Sequence, residues 1–127
     1  MEDSLIRSTL TQGLPALGLG EELIPQLTEF SRLLLEKNQV MNLTAITEPR
    51  EVATLHLLDS LSLAPREDLS GRRIIDVGTG AGFPGVPLAI ALPESEVTLL
   101  DSLGKRVSFL AEVRGALGLG YVVCGHA

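Results

Sequence analysis

The residues with most chemistry in them are two carboxylates, Asp76 and Asp101, each closing a short apolar run. Asp76 ends Ile74-Ile75-Asp76 and is followed by Val77-Gly78-Thr79-Gly80-Ala81-Gly82-Phe83-Pro84-Gly85. A β-branched run of this kind reads as a buried strand. Gly78, Gly80 and Gly82 stand at alternate positions, where a missing Cβ lets the backbone turn sharply and approach a ligand closely. Pro84 suits the first turn of a helix, which the apolar stretch Val86–Leu92 continues. Strand, tight glycine loop and helix together form a nucleotide-type cofactor site.

Two ligands compete for that loop. Gly80-Ala81-Gly82-Phe83-Pro84-Gly85 matches the dinucleotide pattern G-x-G-x-x-G, which points to NAD. A dinucleotide, however, brings an anionic pyrophosphate to the helix N-terminus, where free N–H groups should meet it. Asp76 would repel that anion, and Pro84 removes one donor. S-adenosylmethionine has no phosphate and carries an ammonium and a sulfonium, so the same carboxylate attracts it. Asp101, at the next strand end, can accept from ribose hydroxyls of either ligand. The loop chemistry therefore favours S-adenosylmethionine.

Other polar residues have a functional and an ordinary reading. His56, Asp59 and Ser60 fall at i, i+3 and i+4 of one helix and share a flank, which invites a hydrolase triad. No strand-to-helix elbow presents Ser60, so a local hydrogen-bond network joining the N-terminal helices to the sheet is favoured. Lys105 and Arg106 open a helix, where cations are disfavoured by the macrodipole. They are either solvated charges or, with Arg72 and Arg73, phosphate contacts. Asn42 and Thr44 are turn formers or pocket polar groups. Cys124 in an apolar strand reads as a small core residue.

Composition narrows the classes. The 127 residues leave room for one domain, and 45% are hydrophobic, enough for a core. Aromatics make up only 3%, which argues against an aromatic base-stacking platform. The net charge is −6, with eleven acids against five bases in residues 1–70 and five against five thereafter. No global basic footprint for nucleic acid exists, so any RNA contact must be local. One cysteine excludes an internal disulfide and a cysteine-rich zinc site. The acidic start Met1-Glu2-Asp3 does not resemble a signal peptide, and the most apolar stretch, 83–92, is too short for a membrane span. The expected location is cytoplasmic.

The elements that position these residues follow from periodicity. Asp3 or Ser4 is expected to cap a first helix carrying Leu5, Ile6 and Leu10, ended by Leu17-Gly18-Leu19-Gly20. A second helix runs from about Glu21 to Asn38, becoming regular near Pro25, with Leu23, Leu27, Phe30 and Leu34 inward and Glu22, Glu29, Arg32 and Glu36 solvated. Thr47 is expected to cap a third helix reaching Leu63. Val97–Leu100 and Tyr121–Cys124 read as further strands, with a helix over Gly104–Arg114 between them. Strand–helix–strand–helix–strand implies a parallel sheet. Ala-Leu-Gly-Leu-Gly occurs at 16–20 and 116–120, read as two helix endings rather than a repeat.

With these residues placed, the chain resembles the bacterial small-subunit (16S) ribosomal RNA guanine-N7 methyltransferases, once called glucose-inhibited division protein B. The resemblance rests on Asn42-Leu43-Thr44, His56-Leu57-Leu58-Asp59-Ser60, the loop Asp76–Gly85 and Asp101-Ser102-Leu103-Gly104-Lys105-Arg106, and it runs from about residue 22 onward. It implies an α/β fold: an N-terminal helical segment over 1–70, then over 71–127 the first half, three strands, of a Rossmann-like methyltransferase sheet. It implies S-adenosylmethionine as cofactor, with Gly78 and Phe83 lining its pocket, Asp101 facing its ribose, Asp76 its methionine end, and Ala127 beginning an adenine-pocket pair. The implied partner is small-subunit rRNA, with no metal and no membrane, and a monomer when full length. Family members continue for four more strands, so the chain reads as C-terminally truncated, with β-edge exposure at the first strand. The remaining alternatives are a nicotinamide-dependent oxidoreductase half-domain and an inactive truncated fragment that binds cofactor or partner weakly. Because guanine N7 carries a lone pair and no hydrogen, no catalytic acid or base is expected.

Overall fold

A computed structural model describes residues 2–65, 69 and 71–126. Helix α1 spans Glu2–Gly13 and buries Ile6 and Leu10. It begins upstream of Asp3 and Ser4, which lie inside the first turn and do not cap it. Short 3-10 turns over Pro15–Leu17 and Glu21–Leu23 lead into α2, Ile24–Asn38. Pro25 sits in the first turn of α2, where its missing N–H costs nothing. The inward stripe is Leu27, Phe30 and Leu34; on the outer side Arg32 bridges Glu29 and Glu36.

The next helix, α3 (residues 49–61), has three parts: an α-turn Pro49–Glu51, a π-helical stretch Val52–Leu58 and a closing α-turn Asp59–Leu61. Its cap is Glu48, one residue past the expected Thr47. The Glu48 carboxylate accepts from the N–H groups of Arg50 and Glu51 at 3.1 and 3.0 Å. A longer acidic side chain reaches back over the first turn and complements the helix dipole.

Three parallel strands follow: β1 (Arg73–Val77), β2 (Glu96–Asp101) and β3 (Val122–His126), in the order β1-β2-β3. Between them run α4 (Gly85–Ala91) and α5 (Gly104–Leu117). Gly18 and Gly118 both take left-handed conformations, with φ of 72° and 66°, and both close helical segments. The repeated pentapeptide is therefore a pair of helix endings.

The register sorts the sheet into two unlike faces. Ile74, Val97 and Val122 are aligned, as are Asp76, Leu99 and Cys124; this face packs against α4 and α5. One hydrophobic cluster continues from it through Phe109, Leu110 and Val113 to Phe30 and Leu34 of α2 and Ile6 and Leu10 of α1. Cys124 is half-buried against that cluster, and burial pushes its thiol up from the ordinary value. On the other face Ile75, Val77 and Val123 are 64%, 70% and 58% exposed. A parallel sheet normally has both faces covered; among the described residues this one is largely open, with Thr98 and Leu100 partly shielded. β1 is a sheet edge, as expected from the sequence. Among the described residues no helix is long and apolar enough to cross a membrane.

Candidate functional site

The loop after β1 sits where carboxylates and glycines can both reach it. In the parallel order, the C-terminal ends of β1 and β2 are neighbours, which brings Asp76 and Asp101 to the same rim. Gly78, Gly80 and Gly82 have φ of 72°, 61° and 103°, so all three alternate glycines hold conformations that L side chains rarely adopt. A Cβ at Gly78 or Gly80 would meet only open space, so these two leave the loop surface clear. A Cβ at Gly82 would lie 2.8 Å from Val86 and 3.0 Å from Leu110, and one at Gly85 would strike Leu99 and Asp76. The first pair of glycines opens the surface; the second lets α4 pack onto the sheet.

Both carboxylates are built into the loop. Asp76 Oδ2 accepts from Gly85 N–H at 3.0 Å and from the buried Thr79 hydroxyl at 2.7 Å. Asp101 is only 2% exposed; its Oδ2 accepts from Gly80 N–H at 2.9 Å and its Oδ1 from Leu103 N–H at 3.0 Å. Arg106 Nη1 lies 3.5 Å from the same Oδ1. Burial acts to raise the Asp101 pKa, but the two N–H donors and the Arg106 charge outweigh it and hold the carboxyl below its ordinary value.

The remaining loop amides are also committed. Gly78 and Thr79 N–H both donate to Leu100 O, Gly82 and Phe83 N–H to Thr79 O, and Val86 N–H to Gly82 O. Pro84 has no N–H. Of residues 78–86, only Ala81 has an amide outside these bonds. An anion-binding nest needs several converging free N–H groups, and this loop does not offer them.

A second cluster meets the first at Phe83. The His56 ring, on the π-helical stretch of α3, stacks on Phe83 with centroids 4.2 Å apart and planes 9° from parallel. Phe83 also packs on Phe30 at 5.3 Å, and its peptide bond to Pro84 is cis. Thr44 Oγ1 and His56 Nε2 share a 2.8 Å hydrogen bond. Burial lowers the His56 pKa, partly offset by the charge of Asp59. His56, Asp59, Ser60, Phe83 and Pro84 line one pocket of about 420 Å³. The described hydrogen bonds join His56 to Thr44, not to Asp59 or Ser60, so no triad is assembled.

Of the residues singled out in the sequence, Asp76, Gly78, Gly80, Gly82, Phe83 and Asp101 converge on the loop, and Thr44, His56, Asp59 and Ser60 adjoin it. Asn42 is exposed on the connector before α3. Arg106 turns inward to Asp101 rather than outward to solvent, and Arg73 is paired with Glu96 at 3.2 Å; Lys105 is exposed. Ala127 lies outside the described residues. Sequence reasoning missed Thr79, the clamp on Asp76, although it lies inside the motif. It also missed Asn38, whose Oδ1 accepts from Leu43 and Thr44 N–H at 2.7 and 2.9 Å and shapes the connector presenting Thr44. An Asn just past an amphipathic stripe, before an irregular segment, is the available signal. Among the described residues no group of three or more His, Cys, Asp and Glu is placed to hold a metal ion.

Comparison with known proteins finds relatives of the chain. A family model described as rRNA small subunit methyltransferase G matches residues 23–127. A protein named ribosomal RNA small subunit methyltransferase G from Alkaliphilus oremlandii is 57% identical over 104 residues, covering 81% of this chain and 44% of the relative. Proteins of the same name from Alteromonas mediterranea and Lachnoclostridium phytofermentans are 47% and 48% identical, covering 90% and 94% of this chain and 54% and 50% of the relatives. The chain thus spans about half the length of the curated relatives it matches.

Proposed function

The chain belongs to the rRNA small subunit methyltransferase G family, and on that premise we propose that it supplies the S-adenosylmethionine site of an enzyme methylating N7 of a guanine in 16S rRNA. The observation that carries this reading is the commitment of the loop amides. Gly80 and Gly85 N–H, the donors a pyrophosphate would need, are already held by Asp101 and Asp76. A rim carrying two carboxylates and almost no free donor favours a cationic ligand over a diphosphate.

The residues present fit such a cofactor. Gly78 and Gly80 leave open surface for it, and Phe83 offers an apolar wall. Asp76 Oδ1, outside both loop bonds, is available to the ammonium of the methionine end. Asp101 has both oxygens engaged, so its contribution to a ribose would be made alongside its grip on Gly80 and Leu103. The bound cofactor would supply an electrophilic methyl group on a sulfonium. Guanine N7 needs no deprotonation, so the protein's part is to align nucleophile and methyl group and exclude water. Small-subunit rRNA is the proposed partner, by membership in the family.

Titration calorimetry of the chain with S-adenosylhomocysteine and with NADH tests the reading. Heat with the first alone is expected. Heat with NADH alone supports the oxidoreductase alternative, and heat with neither supports an inactive fragment; both refute the proposal.

A further inference from the structure

The pocket between α3 and the glycine loop is not needed to explain cofactor binding. Its volume of about 420 Å³ is within the range of small-ligand sites. It shares Phe83 and Pro84 with the loop, so whatever occupies it lies beside the cofactor surface. Its walls mix apolar and aromatic side chains, Leu55, Leu63, His56 and Phe83, with the hydroxyls of Ser60 and Ser62 and a single carboxylate, Asp59. Asp59 is exposed, and among the described residues it takes part in no ion pair.

We propose that this pocket receives the target guanine, with the His56 ring as its stacking surface and the Asp59 carboxylate accepting from N1–H and the N2 amino group. This rests on the methyl-transfer reading above and adds the residues that choose the base.

Donors and acceptors select the base. An ionised carboxylate is acceptor-only, with two oxygens side by side. Guanine presents two adjacent donors along its Watson–Crick edge; adenine presents a bare N1 acceptor there and is repelled. A guanine held by that edge leaves the opposite edge, with N7, free to react. Reading a base along this edge on an aromatic surface requires an unstacked nucleotide, the usual mode of sequence-specific RNA recognition.

The same contact favours the reaction. As N7 gains a methyl group, positive charge enters the purine ring, and N1–H and the amino group become stronger donors. Their bonds to Asp59 therefore tighten from ground state to transition state, the condition for catalysis by differential binding. Burial keeps His56 on the neutral side of its ordinary titration, so the ring under the base adds no opposing charge.

The chain has two histidines, so NMR reads the pocket directly, with His126 on β3 as internal control. Titration with GMP is expected to move the His56 ring signals and leave those of His126 in place, while AMP, with the same phosphate, binds at least severalfold more weakly. Asp59→Asn should weaken GMP about tenfold and leave the heat of S-adenosylhomocysteine binding unchanged. Equal responses to GMP and AMP, or undiminished GMP binding by the variant, would overturn the assignment. S-adenosylhomocysteine binding without guanine preference sinks the base pocket alone. NADH binding with guanine preference intact sinks the methyl-transfer reading alone. A variant with altered circular dichroism would be replaced by Asp59→Ser, held to the same outcomes.

Discussion

Removing the Asp101 carboxylate should destabilise the fold whether or not a ligand is bound. In Asp101→Ala the N–H groups of Gly80 and Leu103 lose their shared acceptor, and Arg106 loses its counter-charge. A hydrogen bond to a charged group contributes about 1.5–3 kcal/mol. Gly80 is half-buried and falls within that range; Leu103 is exposed, so water replaces its partner at about 1 kcal/mol or less. Arg106 has a third of its side chain in solvent and rehydrates cheaply. The sum is about 3 kcal/mol, or a fall in Tm of roughly 10 °C for a chain of this size. Asp101→Asn should cost nearly as much, because one amide oxygen cannot serve both donors and its NH2 group faces the other. The chain has no tryptophan, so urea denaturation followed by far-UV circular dichroism is the assay. The folded pKa of Asp101 lies below its ordinary value. Its stabilising contribution is therefore complete above about pH 3.9 and fades as pH falls through the folded value. The gap between wild type and Asp101→Ala should stay constant near neutrality and close on acidification. A gap under about 1 kcal/mol at pH 7, against the estimate from these bonds, or one that widens in acid, would refute the brace.

Other outcomes follow from the same geometry. Gly82→Ala should cost about 2–4 kcal/mol, combining a forbidden φ with contacts to Val86 and Leu110, while Gly78→Ala, facing open space, should cost only about 1–2 kcal/mol; equal losses in urea would contradict the packing role of Gly82. The His56 ring should titrate below about 6.5 by NMR. Since the folded state favours neutral imidazole, stability present above the ordinary value should fall as pH drops through it toward the folded pKa, and a midpoint at or above that value would count against the burial described. Phe83→Leu removes both ring contacts and should cost about 1–2 kcal/mol, and it should also raise the His56 midpoint by admitting water. An unchanged midpoint would mean that Phe83 does not shield the ring.

Much of this was legible along the chain. β1, the glycine loop, α4, β2 and α5 follow from local patterns: a β-branched run, alternate glycines, a proline at a helix start and a 3.6-residue stripe. The pairing of Asp76 and Asp101 at one rim followed from their places at successive strand ends. What the carboxylates do there did not. Asp101 grips Gly80 across 21 positions, and no local preference announces such a bond. The place of Arg106 at a helix start points to a solvated or phosphate-facing cation; in the structure the buried Asp101 carboxylate at the end of β2, 3.5 Å away, compensates it. Glu48 takes the place of Thr47 as the cap because its carboxylate reaches the N–H groups of both Arg50 and Glu51, a choice between neighbouring acceptors that local preference does not rank. The π-helical stretch around His56 left no mark in the hydrophobic spacing, and neither did its stacking on Phe83.

Strand order here equals chain order, and each parallel pairing joins segments separated by one helix. Each crossover must be closed at an entropic cost before its pairing forms, which makes parallel sheets slow to assemble. The carboxylate-braced bend, tied to β2 through Leu100 O and Asp101, would hold the first crossover shut once it has formed, so the same bonds that shape the receptacle latch the sheet.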